Sequence, residues 1–183
     1  MGFLFGIVGF LLLFLSDCND ARPFSSGIMK CCFPAGFVLL AIGTLWDCRA
    51  GQVWIGGGMR IVILVAAAAF LVLEIYTLFF ALSVREAYSS PGTKRPVNKK
   101  GVYALCRHPG VLWFIGFYAC LCAGAGFPVR TMFLYDALDV ILVLFEDRYV
   151  FPVCLEGYTA YQTETPFLLP NAKSIRACFG AGR

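Results

Sequence analysis

The sequence predicts an all-α integral membrane protein, one bundle of about five transmembrane helices with a short cytosolic C-terminal segment. Three observations carry this. Hydrophobic residues make up 60% of the 183-residue chain and charged ones only 14%, where a soluble domain carries roughly 25% charge. Mean hydropathy is +0.77. The apolar residues gather into long runs between polar turns, and a spanning helix needs about 20 of them. The same composition excludes disorder, which requires low hydrophobicity and high charge. Too little chain lies on either side of any polar break for two cores, so residues 1–183 read as a single membrane domain.

The first run, 3–16, stops at the polar group Asp17-Cys18-Asn19-Asp20. It is short for a span, and it lacks the basic leader and small-residue cleavage site of a signal peptide. The second, 28–46, begins beside Lys30, whose stem can snorkel, and ends at the polar turn Asp47-Cys48-Arg49. The third, 59–84, is the longest and is interrupted only by Glu74. Trp46 and Trp54 flank the turn before it, at the interfacial level tryptophans favour. The fourth, 109–127, has no charge between His108 and Arg130, and the fifth, 131–147, contains Asp136 and Asp139 and ends at Glu146-Asp147. Between the third and fourth lies a polar loop, 85–108, broken by Pro91, Gly92 and Pro96.

Orientation follows from charge. Lys94, Arg95, Lys99, Lys100 and Arg107 cluster in that loop, with Arg85 before them and only Glu86 opposing. Set between two apolar runs, such a block marks a cytosolic loop, not a nucleic-acid patch. The 17–27 connection and the tail 148–183 then share the cytosolic side, in a bacterial inner membrane or the endoplasmic reticulum. Lys173, Arg176 and Arg183 agree, while Arg49 and Arg130 fall on the far side.

Metal chemistry finds little support. The nine cysteines, Cys18, Cys31, Cys32, Cys48, Cys106, Cys120, Cys122, Cys154 and Cys178, show no zinc-type spacing, and His108 is the only histidine. Their placement in apolar runs suits small hydrophobes in a reducing setting.

Ionisable residues at membrane depth are costly and tend to face a cavity or a partner. Asp136, Asp139 and Glu146, at i, i+3 and i+10, share one broad helical face, and Glu74 lies on the third run. Two readings stand side by side: a polar pocket, favoured for Asp139 and Glu146, or pairing with Arg107, Arg148 or Arg60 that holds the bundle together. Arg107-His108-Pro109 opens the fourth run with a proline at the helix start and two donors before it, suited to an anionic group. Acids on one helix and Arg/His on the next fit a zwitterion with a positive centre. S-adenosylmethionine (SAM) is such a molecule; a nicotinamide cofactor, with its phosphates, calls for more basic residues.

GVYALCRHPG, residues 101–110, resembles the GxYxxxRHPxYxG segment of integral-membrane methyltransferases of the isoprenylcysteine carboxyl methyltransferase and phospholipid methyltransferase superfamily. EDRYVFPVCLEGYTAYQTETPFLLP, residues 146–170, is similar to the terminal segment of that superfamily: an acidic pair, a Tyr-x-x-Tyr, a Thr-Pro and a final Pro. Glu146-Asp147, Tyr158, Tyr161, Thr165-Pro166 and Pro170 occupy those places. The resemblance covers roughly the last 85 residues, and the earlier runs add only hydrophobicity.

The resemblance implies a SAM-dependent enzyme that methylates a lipophilic acceptor drawn from the bilayer, of isoprenylcysteine-carboxylate or phospholipid-amine type. It implies a cofactor site bounded by Gly101, Tyr103, Arg107, His108 and Pro109 on one side and by Asp139, Glu146 and Asp147 on the other. Tyr158 and Tyr161 would close it from the cytosol, and Arg107, His108 and Glu146 would carry catalysis. The chain departs from the pattern at Val111 and Trp113, where Tyr and Gly are expected, at Asp147, one methylene short, and at Leu155, where a glycine is expected. Two alternatives remain: an NAD(P)H-dependent membrane reductase of the sterol-reductase type, whose members carry a similar RHP segment, and a non-catalytic membrane relative.

Overall fold

The computed structural model describes residues 1–22, 26–81 and 94–180. Arg85, Glu86, Pro91, Gly92, Arg183 and the 82–84 end of the third predicted run lie outside them. The chain is mostly helical. Its elements are α1 (Gly2–Asp20), a 3-10 turn Met29–Cys31 leading into α2 (Cys32–Ala50), and α3 (Gly57–Ile75), which continues through a π-helical turn, Tyr76–Phe80. Then come β1 (Arg95–Pro96), α4 (Val102–Leu105), α5 (Pro109–Ala125), α6 (Val129–Phe145) and a second π-helical turn, Glu146–Val150. The C-terminal part holds α7 (Phe151–Cys154), β2 (Leu155–Glu156), α8 (Tyr158–Glu164) and α9 (Ala172–Gly180).

Three stretches are long and apolar enough to cross a membrane: Gly2–Asp20, Met29–Arg49 and Gly57–Phe80. Pro109–Ala125 is a shorter apolar helix. The 17-residue α6 is interrupted by Arg130, Asp136 and Asp139.

The first helix corrects the sequence reading. It does not stop at Ser16 but runs through Asp17-Cys18-Asn19-Asp20. These polar residues end the helix one turn later instead of breaking it. Asn19, only 1% exposed, accepts the Ser26 N–H at 2.8 Å and donates to the Ser26 carbonyl at 3.3 Å, fastening the following connection. Likewise α2 passes Trp46 and absorbs Asp47, Cys48 and Arg49, which the sequence assigns to a turn. Asp47 Oδ1 accepts the Gly2 N–H at 2.9 Å, satisfying one of the unpaired donors that begin every helix. At the fifth run the regular helix ends at Phe145, so Glu146 and Asp147 fall in the π-helical turn beyond it.

Close packing sets the order of the bundle. Gly2, Gly6 and Gly9 form a smooth stripe along α1. Against it α2 approaches so near that a Cβ on Gly9 would meet the Gly36 carbonyl at 2.8 Å. Small-residue seams of this kind let helices pack where lipid removes the hydrophobic drive to associate. Tyr135 of α6, fully buried, fills the space beside Gly6 and meets Phe10 and Tyr118 edge-on, at 5.9 and 5.4 Å between ring centroids. This aromatic cluster joins α1, α5 and α6. On α3 the outward residues Val62, Val65 and Val72 are all more than 60% exposed, an apolar surface suited to lipid.

The predicted loop and tail are folded together. Arg95 and Pro96 of β1 pair in parallel with Leu155 and Glu156 of β2. Lys94 Nζ donates to the Pro152 carbonyl at 3.2 Å, and Lys99 pairs with Glu164 at 2.7 Å. The segment before α5 and the segment after α6 therefore form one polar layer at one end of the bundle.

Candidate functional site

Two glycines shape the segments of this layer. Gly101 has φ +60° and Gly157 φ +77°, conformations that side chains with a Cβ rarely adopt. Gly101 turns the chain into α4, which carries Tyr103, and Gly157 starts α8, which carries Tyr158 and Tyr161. The flexibility expected at Leu155 is thus supplied two residues later. Backbone bonds then clip the pieces together. The Arg107 N–H donates to the Pro166 carbonyl at 2.9 Å and the His108 N–H to the Phe167 carbonyl at 3.3 Å.

Asp147 is the hub. Arg107 grips it with Nε at 2.8 Å and a terminal nitrogen at 3.1 Å, the forked geometry that suits a carboxylate. Tyr158 donates to Oδ1 at 2.6 Å, Gln162 Nε2 to Oδ2 at 3.1 Å, and His108 Nε2 lies 3.2 Å from Oδ1. Burial works to raise the Asp147 carboxyl. The hydrogen bonds from His108, Arg107 and Tyr158 outweigh it and hold the group well below the usual carboxylate range. The other terminal nitrogen of Arg107 donates to the carbonyls of Gln162 and Thr165, both at 2.8 Å. Four of its five N–H donors are then spent inside the protein.

His108 is 5% exposed, stacked on Phe151 at 5.6 Å and edge-on to Phe167 at 5.2 Å. Burial lowers its pKa, against the hydrogen bond to Asp147, so the imidazole is neutral near pH 7. Its Nε2 then carries the proton facing Asp147, leaving Nδ1 towards Glu146 Oε2 at 3.7 Å. Burial raises the Glu146 carboxyl well above its ordinary value, helped by the neighbouring carboxylates Asp17, Asp139 and Asp147. Burial also pushes the Tyr103 phenol up to about 12 and the Tyr158 and Tyr161 phenols higher, so all three stay protonated donors. Tyr103 donates to the Thr77 carbonyl at 2.9 Å and Tyr161 to the Tyr103 carbonyl at 2.5 Å, tying α3, α4 and α8 to one another.

A cavity of about 160 Å³ opens beside this cluster. Of the predicted site residues, Tyr103, Arg107, Tyr158 and Tyr161 line it. His108 and Asp147 stand behind that wall, joined to it through Arg107 and Tyr158. Gly101 and Pro109 shape the backbone on either side of α4, and Asp139 and Glu146 do not line the cavity. Sequence reasoning missed four polar lining residues: Asp17 and Asp20 at the end of α1, and Arg95 and Asn98 in the loop. Asp17 Oδ2 is buried with no hydrogen-bond partner among the described residues. The signal that could have found it was a pair of acids at the end of an apolar run.

No family model, curated protein or solved structure matches this chain.

The acids within α3 and α6 do not pair as bundle glue. Among the described residues Glu74, Asp136 and Asp139 form no salt bridge, and each keeps a buried carboxylate oxygen without a partner. Arg60 instead donates to the Gly124 carbonyl at 2.9 Å. Of the two departures on α5, Val111 is 2% exposed, and Trp113 donates from Nε1 to Thr77 Oγ1 at 3.1 Å. Both therefore have structural partners in the bundle.

Proposed function

We propose that the chain is a SAM-dependent integral-membrane methyltransferase of five spans, its polar layer and C-terminus cytosolic, acting on a lipophilic acceptor. One observation supports this above the rest: the 101–109 and 146–170 segments, distant in sequence, converge on the Asp147 carboxylate beside a cavity that mixes apolar walls with Asp17, Asp20, Arg95 and Arg107, at the end of an apolar bundle. A polar donor and a lipid-soluble acceptor can meet only at such a boundary.

The residues present fit SAM better than a phosphate-bearing cofactor. Asp17, with its unpartnered oxygen, and Asp20 suit the ammonium and ribose hydroxyls. Arg95 suits the carboxylate, and the Phe151 and Tyr158 rings suit a positive sulfur. For a dinucleotide the two acids oppose the phosphates, and Arg107 has little left to offer. SAM supplies a methyl group on a cationic sulfur that leaves as a neutral thioether and needs no proton donor. The protein's task is to hold the reactants in line and exclude water. Arg107 serves as a positioning residue: it locks Asp147 and the 162–166 backbone, and thereby Tyr158 and Tyr161 at the cavity wall. Asp17 brings a carboxyl to the cavity wall, while Glu146, behind it, acts through His108, whose Nδ1 it faces. His108, neutral and enclosed, orients Asp147.

The test is SAM binding by purified protein in detergent, with Glu146→Gln and Asp17→Asn as variants and NADPH as competitor. Saturable binding that weakens in both variants while thermal stability holds is expected. Wild-type binding by both well-folded variants, or NADPH binding in place of SAM, overturns the reading.

A further inference from the structure

A second cavity, of about 290 Å³, lies between α2, α3 and α5, inside the apolar part of the bundle. Phe37, Phe114 and Phe117 provide its aromatic walls, and Leu45 and Leu71, 65% and 42% exposed, form a lip turned towards lipid. Three polar side chains reach it: Thr44, Tyr118 and Glu74. Thr44 donates to the Leu40 carbonyl and accepts from the Tyr118 hydroxyl, both at 2.8 Å, so these two groups are satisfied. Glu74 is different. Its Oε2 is buried without a hydrogen-bond partner, and among the described residues no cation pairs with it.

We propose that this cavity binds a lipophilic amine in its protonated form, the ammonium on Glu74 and the hydrocarbon among the phenylalanines. A carboxylate in an apolar cleft is costly unless a positive charge joins it. Aromatic faces add a second attraction for a cation. A fatty acid would set like charges together, and a neutral lipid would bring no positive charge to offset that of the Glu74 carboxylate. The carboxylate also lies against the first turn of α5, where a Cβ on Gly110 would be 3.3 Å from either oxygen. This puts the ammonium end of the ligand two residues along the chain from His108. The site stands without the cofactor reading; combined with it, the amine is the class of methyl acceptor, its ammonium passing a proton to the Glu74 carboxylate so that the freed nitrogen lone pair can attack the methyl group.

The experiment is calorimetry in non-ionic detergent without any cofactor, so that its failure is separate from failure to bind SAM. The probes are dodecylamine, dodecanoate and dodecanol. Dodecylamine should bind saturably at one site. Its affinity should fall at least about tenfold, the loss of one charge-assisted contact, in Glu74→Gln. Ala41→Phe, which fills the cavity wall and leaves Glu74 in place, should abolish binding. Equal uptake of dodecanol or dodecanoate, or full dodecylamine affinity in folded Glu74→Gln, overturns the proposal.

Discussion

Tyr158 donates its hydroxyl to Asp147 Oδ1 across 2.6 Å, so that α8 closes on the same carboxylate that anchors Arg107. The bond joins the tail to the end of α6, and the guanidinium joins both to the loop before α5. One buried charge thus organises three segments.

Removing that charge should be far costlier than removing its hydroxyl partner. Asp147 and Arg107 side chains are 9% and 12% exposed. Asp147→Asn leaves a buried guanidinium without its counterion, a loss of about 3–5 kcal/mol. Tyr158→Phe gives up one hydrogen bond to a charged group, about 1.5–3 kcal/mol. Thermal unfolding in detergent should rank them in that order; a milder effect for Asp147→Asn would show that the hub does not hold the layer.

Gly157→Ala should destabilise through the backbone alone. The added Cβ would meet only Val97, at an ordinary 3.7 Å, while φ stays at +77°. The left-handed conformation costs a side-chain-bearing residue about 1–2 kcal/mol. A matching fall in stability is expected, and an unchanged melting curve would mean the turn relaxes freely.

His108, as the only histidine, reports its own titration. Its folded pKa is depressed below the ordinary 6.5, first by burial. The unfolded chain therefore binds the proton more readily, and stability rises with pH through that window. The contribution is full above 6.5 and is lost as pH falls towards the folded value. Asp147 acts in the same direction at lower pH, whereas Glu146, raised by burial, loses its contribution as pH climbs through its folded value. Carbon-13 imidazole NMR should give a midpoint below 6.5 that returns to the ordinary range on unfolding. A midpoint above it would contradict the enclosure described.

The cysteines should divide by access. Cys106 is fully buried and burial pushes its thiol up to about 11, while Cys31 is exposed. Maleimide labelling with peptide mapping should modify Cys31 at least about tenfold faster, since Cys31 is accessible and burial keeps the Cys106 thiol protonated. Comparable rates would mean the layer around Cys106 opens readily.

The hydrophobic runs made much of this helical plan legible. Long apolar runs marked where α1, α2, α3, α5 and α6 lie, and three of these stretches are long and apolar enough to cross a membrane. Their ends were less legible. Asp17, Asn19 and Asp47 read as turn formers by residue type, yet each sits within a helix: Asn19 fastens Ser26 in the connection beyond α1, and Asp47 meets the distant Gly2 N–H. Arg107, His108, Asp147, Tyr158 and Tyr161 could be named in advance since the motif carried them. Asp17, Asp20, Arg95 and Asn98 could not, because their meeting depends on a two-residue strand pairing, Arg95 with Leu155, that has no hydrophobic signature. The orphaned oxygen of Glu74 was equally hidden, for sequence shows a carboxylate but not whether anything answers it.

The backbone bonds from Arg107 and His108 to Pro166 and Phe167 have a consequence for biosynthesis. During translation the loop leaves the ribosome some sixty residues before the segment that clips it. Every apolar helix is therefore made, and available to the insertion machinery, while the polar layer is still open. This end of the bundle is latched last, after its hydrophobic parts have had time to find the bilayer.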